Sequence, residues 1–390
     1  MKKATLLALF SSLCFTLTGC ASSRYHDPDL TAAAATIAVQ QEETVPDSTE
    51  SPSEPGQVIS LTPQAEEEET ASPEPDSIDI LIAGDVLFSD HVLNAYESAG
   101  GISGVLDEGF RNDIDSADFF AVNEEFPFSS RGTAAPDKQY TFRLPEDKVS
   151  IMKELGVDLV TLANNHTLDF GTDALLDTCT TLDQAGILHV GAGADSESAR
   201  KPAIVDIQGI KVGFIGASRV IPVASWTAGK NSPGLLTAYD TSLLIQTIQE
   251  TRPLCDYLIV YPHWGVEREE MPVDHQKSIA RQCIDAGADF VIGSHPHVLQ
   301  GLEYYKEKPI AYSMGNFIFG SSIPKTMLLK LTLDTDTLEP SISLIPGTSS
   351  GGYTRKLTEQ EPIQEFYQYI ESISFGVQID EQGRVSVPVS

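Results

Sequence analysis

The chain has 390 residues, 41% of them hydrophobic, and a formal charge of −31 from 25 basic and 56 acidic side chains. That length and apolar content suffice for one large domain or two ordinary ones. The acidity sets nucleic acid aside as a partner, because phosphate binding needs clustered Lys and Arg.

Residues 1–20 read as a leader. Lys2 and Lys3 open it, and the apolar run from Ala4 to Thr18 is too short to span a bilayer comfortably. It ends Leu17-Thr18-Gly19-Cys20, a tetrad that resembles the bacterial lipobox. Cys20 is then the expected lipidation site, and a multiply acylated cysteine anchors stably in a membrane. The expected location is the cell membrane, on its extracytoplasmic face. Residues 21–77 read as a disordered acidic tether rich in Ser, Pro and Glu. Thirteen acidic residues and one basic residue (Arg24) fall between positions 21 and 76, so the segment repels itself and buries little apolar surface. Of the five cysteines, Cys14 belongs to the leader and Cys20 would carry lipid. Cys179, Cys255 and Cys283 lack metal-type spacing and read as small buried hydrophobes, with one disulfide left open.

At Ile78 the pattern changes. "IDILIAGDVLF" is a buried strand running into a turn, and similar units recur as "DFFAVNEEF", "VDLVTLANNH", "KVGFIGAS", "DYLIVYPHWG", "DFVIGSHPH" and "PIAYSMGNFIF". Helical stretches alternate with them, which predicts an α/β domain. "AIVDIQGIKVGFIG" reads as a hairpin turning at Gln208-Gly209, so the sheets are expected to be mixed. From about residue 323 to 390, a period-two pattern predicts a half-buried antiparallel pair. A helix follows around Ile363, Phe366, Tyr367 and Ile370, and then a last edge strand in "GRVSVPV". These elements are expected to complete the domain begun at 78–322.

The unusual polar residues fall at the C-terminal ends of the apolar strands: Asp85, Asn123 with Glu125, Asn164-Asn165-His166, His263, and His295 with His297. That edge is where α/β sheets build sites. Carboxylates, Asn oxygens and imidazoles suit Mn, Zn, Fe or Mg better than a soft metal. The set predicts one or two divalent ions at a hydrolytic site. On an extended chain His295 and His297 would point the same way, toward one cation or two neighbours. A lone strand-end histidine is more often an ordinary hydrogen-bonded residue, and His91, His189 and His275 are read so. Arg219, at another strand end, is placed either against an anionic substrate or in a surface salt bridge. Trp264, beside His263, is expected to line a groove, whereas Trp226 covers the core.

"GDVLF" at 84–88, "NEEFPF" at 123–128, "LANNHTLDFG" at 162–171, "HWGVE" at 263–267 and "HPHVLQGLEYYKEKPIAYSMGNFIF" at 295–319 resemble the successive motifs of the CapA proteins. These are capsule and poly-γ-glutamate biosynthesis proteins related to calcineurin-like metallophosphoesterases. The resemblance implies a metallophosphatase-like four-layer α/β/β/α sandwich with mixed sheets over 78–322. It also implies metal ligation by Asp85, Asn123, Glu125, Asn165, His263, His295 and His297. His166 matches the residue that assists the leaving group, and Asp169 belongs to the same motif. Glu267 and Asn316 fall within matched motifs and, with Trp264 and Arg219, are expected to face substrate. Two departures stand out. Leu87 occupies the place of a metal-binding histidine, and Asn-x-Glu replaces the motif that carries the bridging carboxylate. Two functions are open: a metal-dependent hydrolase acting on a cell-surface polymer, or a non-catalytic protein that binds an anionic polymer or its membrane synthase through a vestigial site.

Overall fold

The computed structural model describes residues 58–60 and 77–388. The leader, Cys20 and most of the expected tether lie outside these residues. Among the described residues the chain builds two large mixed sheets, one of ten strands and one of seven.

The larger sheet is centred on Ser77–Val86. Parallel strands Phe119–Glu124, Leu159–Thr161 and Leu188–Val190 extend it on one side. On the other side lie the antiparallel pair Ser322–Asp334 and Pro340–Ser350. The smaller sheet runs in the order Val58–Ser60, Ala203–Ile207, Ile210–Ser218, Tyr257–His263, Phe290–Ile292, Lys308–Met314 and Leu299–Tyr305. Ala203–Ile207 and Ile210–Ser218 form the expected hairpin.

Side-chain alternation along the strands separates three cores. Ile78, Ile80 and Ile82 face the smaller sheet and meet Phe214, Ile259 and Phe290 in the central core. Leu81 and Ala83 point the other way, into a core closed by the helices Asp90–Ala99, Glu108–Asp115, Val149–Glu154 and Thr172–Ala185. Ile215, Leu258 and Val291 face outward from the smaller sheet onto Ser242–Thr251 and Asp274–Ala286. The layers are therefore helix, sheet, sheet, helix. Helix ends follow local chemistry: the Asp107 carboxylate accepts from the Phe110 N–H at 3.0 Å and caps Glu108–Asp115.

Three expectations change. Val58–Ser60, inside the expected tether, pairs in parallel with Ala203–Ile207 as a sheet edge. Ser322–Asp334 is not half-buried over its middle. Leu329 enters the central core and Leu328 the outer one, because both faces of this sheet are covered. Arg384–Ser386 is not the last strand in the sheet, since Gln378–Ile379 lies outside it and Pro388 falls beyond its end.

One crossover positions the site. Lys308–Met314 belongs to the smaller sheet and Asn316–Ile318 to the larger, where Asn316 pairs with Asp85. Between them Gly315 takes φ +57, a conformation in which only glycine is free of Cβ strain. Its carbonyl accepts from the Asp85 N–H at 2.8 Å and passes so close to Gly84 that a Cβ there would sit 1.8 Å from it. The register between Ser77–Val86 and Phe119–Glu124 also slips after Ile82, and such bulges re-aim the following side chains.

Two outcomes follow from this packing. Gly84→Ala is expected to destabilise the fold by about 2–3 kcal/mol, since the neighbour is backbone and cannot swing away; urea denaturation measures it. Cys179, Cys255 and Cys283 are free thiols, pushed by burial to about 12, 11 and 12 respectively. At pH 8 all three should resist alkylation until the protein is unfolded, and peptide mapping of the labelled native protein would reveal any early reaction.

Candidate metal centre

Strand ends from both sheets meet at one edge. The larger sheet supplies Asp85, Glu125 and the turn Asn164-Asn165-His166, and the smaller supplies His263, His295 and His297. Asp85, Glu125 and His263 are wholly buried.

Around His263 Nε2 lie Asn165 Oδ1 at 2.8 Å, His295 Nδ1 at 3.1 Å and Glu125 Oε1 at 3.2 Å. Around His297 Nδ1 lie Asn316 Oδ1 at 2.8 Å, Asp85 Oδ2 at 3.3 Å and Glu125 Oε2 at 3.8 Å. Glu125, His263 and His295 form one group with metal-binding geometry, and Asp85, Glu125 and His297 form another. Glu125 belongs to both, one oxygen on each side.

Three observations fit these groups to divalent ions. One ring nitrogen makes one hydrogen bond, yet each of these two has three polar neighbours. Donors sharing an ion at about 2.1 Å lie roughly 3.0–3.4 Å apart, close to most of the distances here. Asp85 Oδ2 and both Glu125 oxygens are buried without a hydrogen-bond partner, which a protein tolerates where a cation supplies the balance.

The electrostatics agree. Burial, then the Asp85 charge, drives Glu125 well above the usual carboxylate range. Burial and the neighbouring imidazoles hold His263 and His295 well below theirs, so both are neutral and ready to ligate. Burial alone would lower His297 too, but the Glu125 and Asp85 carboxylates outweigh it and hold the ring up to about 10. The carboxylates thus favour positive charge beside them, which a bound ion would supply.

The supporting shell orients these donors. Ser294 Oγ lies 3.0 Å from His263 Nδ1. Asn123 donates to Asp85 Oδ1 at 2.8 Å and accepts from Asn164 at 3.1 Å. Both ends of its amide are engaged, so Asn123 holds Asp85 in place. Asn164 Oδ1 accepts from the His166 N–H at 3.0 Å. His166 Nδ1 lies 2.8 Å from Asp169 Oδ2, and its ring packs at a tilt against Phe142.

A match to the bacterial capsule synthesis protein PGA_cap family covers residues 79–321, more than half of the chain and every residue of this centre. The chain belongs to the PGA_cap family. It is 32% identical to the PGA biosynthesis protein CapA of Bacillus subtilis (strain 168), over 64% of this chain and 66% of that one. It is 30% identical to the capsule biosynthesis protein CapA of Bacillus anthracis, over 65% and 62% respectively. A probable polyglutamine synthesis accessory protein of Mycobacterium tuberculosis is 33% identical over 52% of this chain and 56% of its own. The match thus spans just under two thirds of the two Bacillus relatives. Among solved structures, a putative 5'-nucleotidase from Staphylococcus aureus in complex with alpha-ketoglutarate aligns with TM-score 0.44 and 17% identity, over 76% of this chain and 58% of that one.

In this PGA_cap protein the remaining expected residues separate. Trp264 does not line a groove: it is fully buried, packs in the core beside Asp274–Ala286, and donates to the Tyr312 carbonyl at 2.8 Å. Its neighbour His263 faces the site, and alternation along the strand end sends Trp264 the other way. Arg219 lies at the rim, stacked 3.9 Å over the Tyr239 ring, and its N–H donates to the His263 carbonyl. Glu267 is exposed on the loop after His263. Asn316 stands against His297, inside the centre.

His295 and His297 converge by an unexpected route. Their φ values are +99 and +58, so the chain is not extended there. Each ring reaches its own group through a left-handed backbone, a strain that persists where surrounding contacts over-determine it.

Lys138 escaped the sequence reading. It arrives on a loop with no periodic pattern, where a lysine reads as surface. Its ammonium contacts Asp169 and the Asn165 carbonyl, lies 3.0 Å from His166 Nδ1, and sits over the Trp226 ring. Burial lowers its pKa, with Asp169 opposing.

Trp264→Ala should therefore cost about 3–5 kcal/mol of stability, as core aromatic truncations do. A thermal-unfolding scan beside a Trp264→Phe control tests this; a groove residue would leave the melting temperature unchanged.

Proposed function

We propose that this chain is a lipid-anchored extracytoplasmic protein of capsule or poly-γ-glutamate biosynthesis that cleaves or transfers a bond of an anionic surface polymer. The observation that carries the reading is Glu125, whose two unpartnered oxygens are divided between two ligand groups. Membership of the PGA_cap family and likeness to proteins named for capsule and PGA biosynthesis support the pathway. The Leu17-Thr18-Gly19-Cys20 tetrad supports the anchor.

Divalent ions held by Asp85, Glu125, Asn165, His263, His295 and His297 would supply Lewis-acid polarisation of a substrate oxygen and lower the pKa of water. The chain's own part is proton handling. Asp169 holds His166 Nδ1, which leaves Nε2 as the atom that exchanges a proton. Burial lowers His166, with Asp169 opposing, so the ring enters neutral. Nε2 then accepts a proton from the attacking water as its oxygen bonds to the substrate, and returns that proton to the leaving atom as the scissile bond breaks. Lys138 keeps Asp169 and the Asn165 turn together under the ring. The charge of −31 repels a polyanion in bulk, so binding relies on local cations such as Arg219 at the rim.

Three variants test this with poly-γ-glutamate as the probe. His166→Ala should lower kcat by about 10²–10⁴-fold with the fold intact. Lys138→Met should lower kcat with KM nearly unchanged, the signature of a positioning residue. Cys20→Ser should release the protein from the membrane fraction. Full polymer production by cells carrying His166→Ala and Asp85→Ala, with loss only in Cys20→Ser, would favour the non-catalytic assembly protein instead.

A further inference from the structure

We infer that Asn316 is a metal ligand that completes the second ion site, taking the place left empty of a donor by Leu87. The inference rests on the two-group reading of Glu125 above and extends it.

The two groups are built alike around one imidazole nitrogen. In the first, the oxygen nearest His263 Nε2 is Asn165 Oδ1 at 2.8 Å. In the second, the oxygen nearest His297 Nδ1 is Asn316 Oδ1, also at 2.8 Å. Asp85 Oδ2 and Glu125 Oε2 lie 3.3 and 3.8 Å from the same nitrogen and have no hydrogen-bond partner. Three oxygen donors, from Asp85, Glu125 and Asn316, thus gather around the His297 nitrogen. Leu87 cannot serve, because its side chain is buried in the outer core with Phe88 and Val92.

The backbone explains how position 316 reaches the site. The crossover at Gly315 carries the chain from one sheet to the other and sets Asn316 opposite Asp85 in register. The Asn316 carbonyl is engaged separately, accepting from Thr326 Oγ1 at 2.7 Å. The side-chain amide is therefore not needed to hold the strand, and the residue is partly exposed.

The donor sets differ in kind. His263, His295, Asn165 and Glu125 offer two nitrogens and two oxygens, whereas His297, Asp85, Glu125 and Asn316 offer one nitrogen and three oxygens. The nitrogen-rich set suits Zn, Fe or Mn, and the oxygen-rich set suits Mn or Mg. The centre is then asymmetric, with a tighter ion on the His263 side and a weaker one on the Asn316 side.

Manganese alone is the probe. The chelator-stripped full chain is titrated with Mn(II) and followed by calorimetry and electron paramagnetic resonance. The parent should take up two equivalents and show a spin-coupled spectrum. Asn316→Ala should keep the tight equivalent, lose the second by at least about tenfold in affinity, and show an isolated six-line signal. Asn316→Asp, which keeps an oxygen at the same reach, should retain two coupled ions; it also serves if the alanine variant fails to fold. Two equivalents of unchanged affinity in Asn316→Ala would overturn the inference, as would a single equivalent in both parent and variant. No uptake by the parent would overturn the metal reading of the site itself, and this inference with it.

Discussion

Two carboxylates buried at the meeting edge of two sheets constrain everything around them. Asp85 and Glu125 have no exposure to solvent, and three of their four oxygens lack a hydrogen-bond partner. A buried charge without a partner costs several kcal/mol. Three imidazoles and two asparagine oxygens lie around them, and among the described residues no Arg or Lys forms a salt bridge with either carboxylate.

That demand accounts for local features that look unrelated. The slip in register after Ile82 turns Asp85 toward the gap between the sheets. Left-handed backbone at His295 and His297 turns both rings inward from a strand that has already ended at Ile292. Asn123 and Asn164 spend their amides on each other, on Asp85 and on the turn that carries His166. Asn123 and Asn164 thus orient donors, and Asn164 also fixes the turn it belongs to.

Much of this was legible in the sequence, for a physical reason. Strands buried on both faces are continuous apolar runs, so Asp85, His263 and His295 stand out where those runs end. The layers followed from the alternation of such runs with amphipathic helices. Direction within a strand end was harder to read. His263 and Trp264 are adjacent, and only the sheet shows that one faces the site and the other the core. The positive φ at His295 and His297 leaves no mark in the sequence, where a strand exit reads as extended. Lys138 left no trace, since its partners are a carbonyl and an aspartate on another segment. Asn316 was visible as a motif, but its role depends on a change of sheet one residue earlier.

The crossover at Gly315 has a mechanical side. One continuous segment, Lys308 to Ile318, is stitched into both sheets, and the donors on either side of the cleft come from different sheets. At this edge the site is therefore a seam, crossed by the chain at Gly315 and lined by donors from both sheets. A change at Gly84, Gly315 or Asn316 thus bears at once on the joining of the sheets and on the placing of the donors.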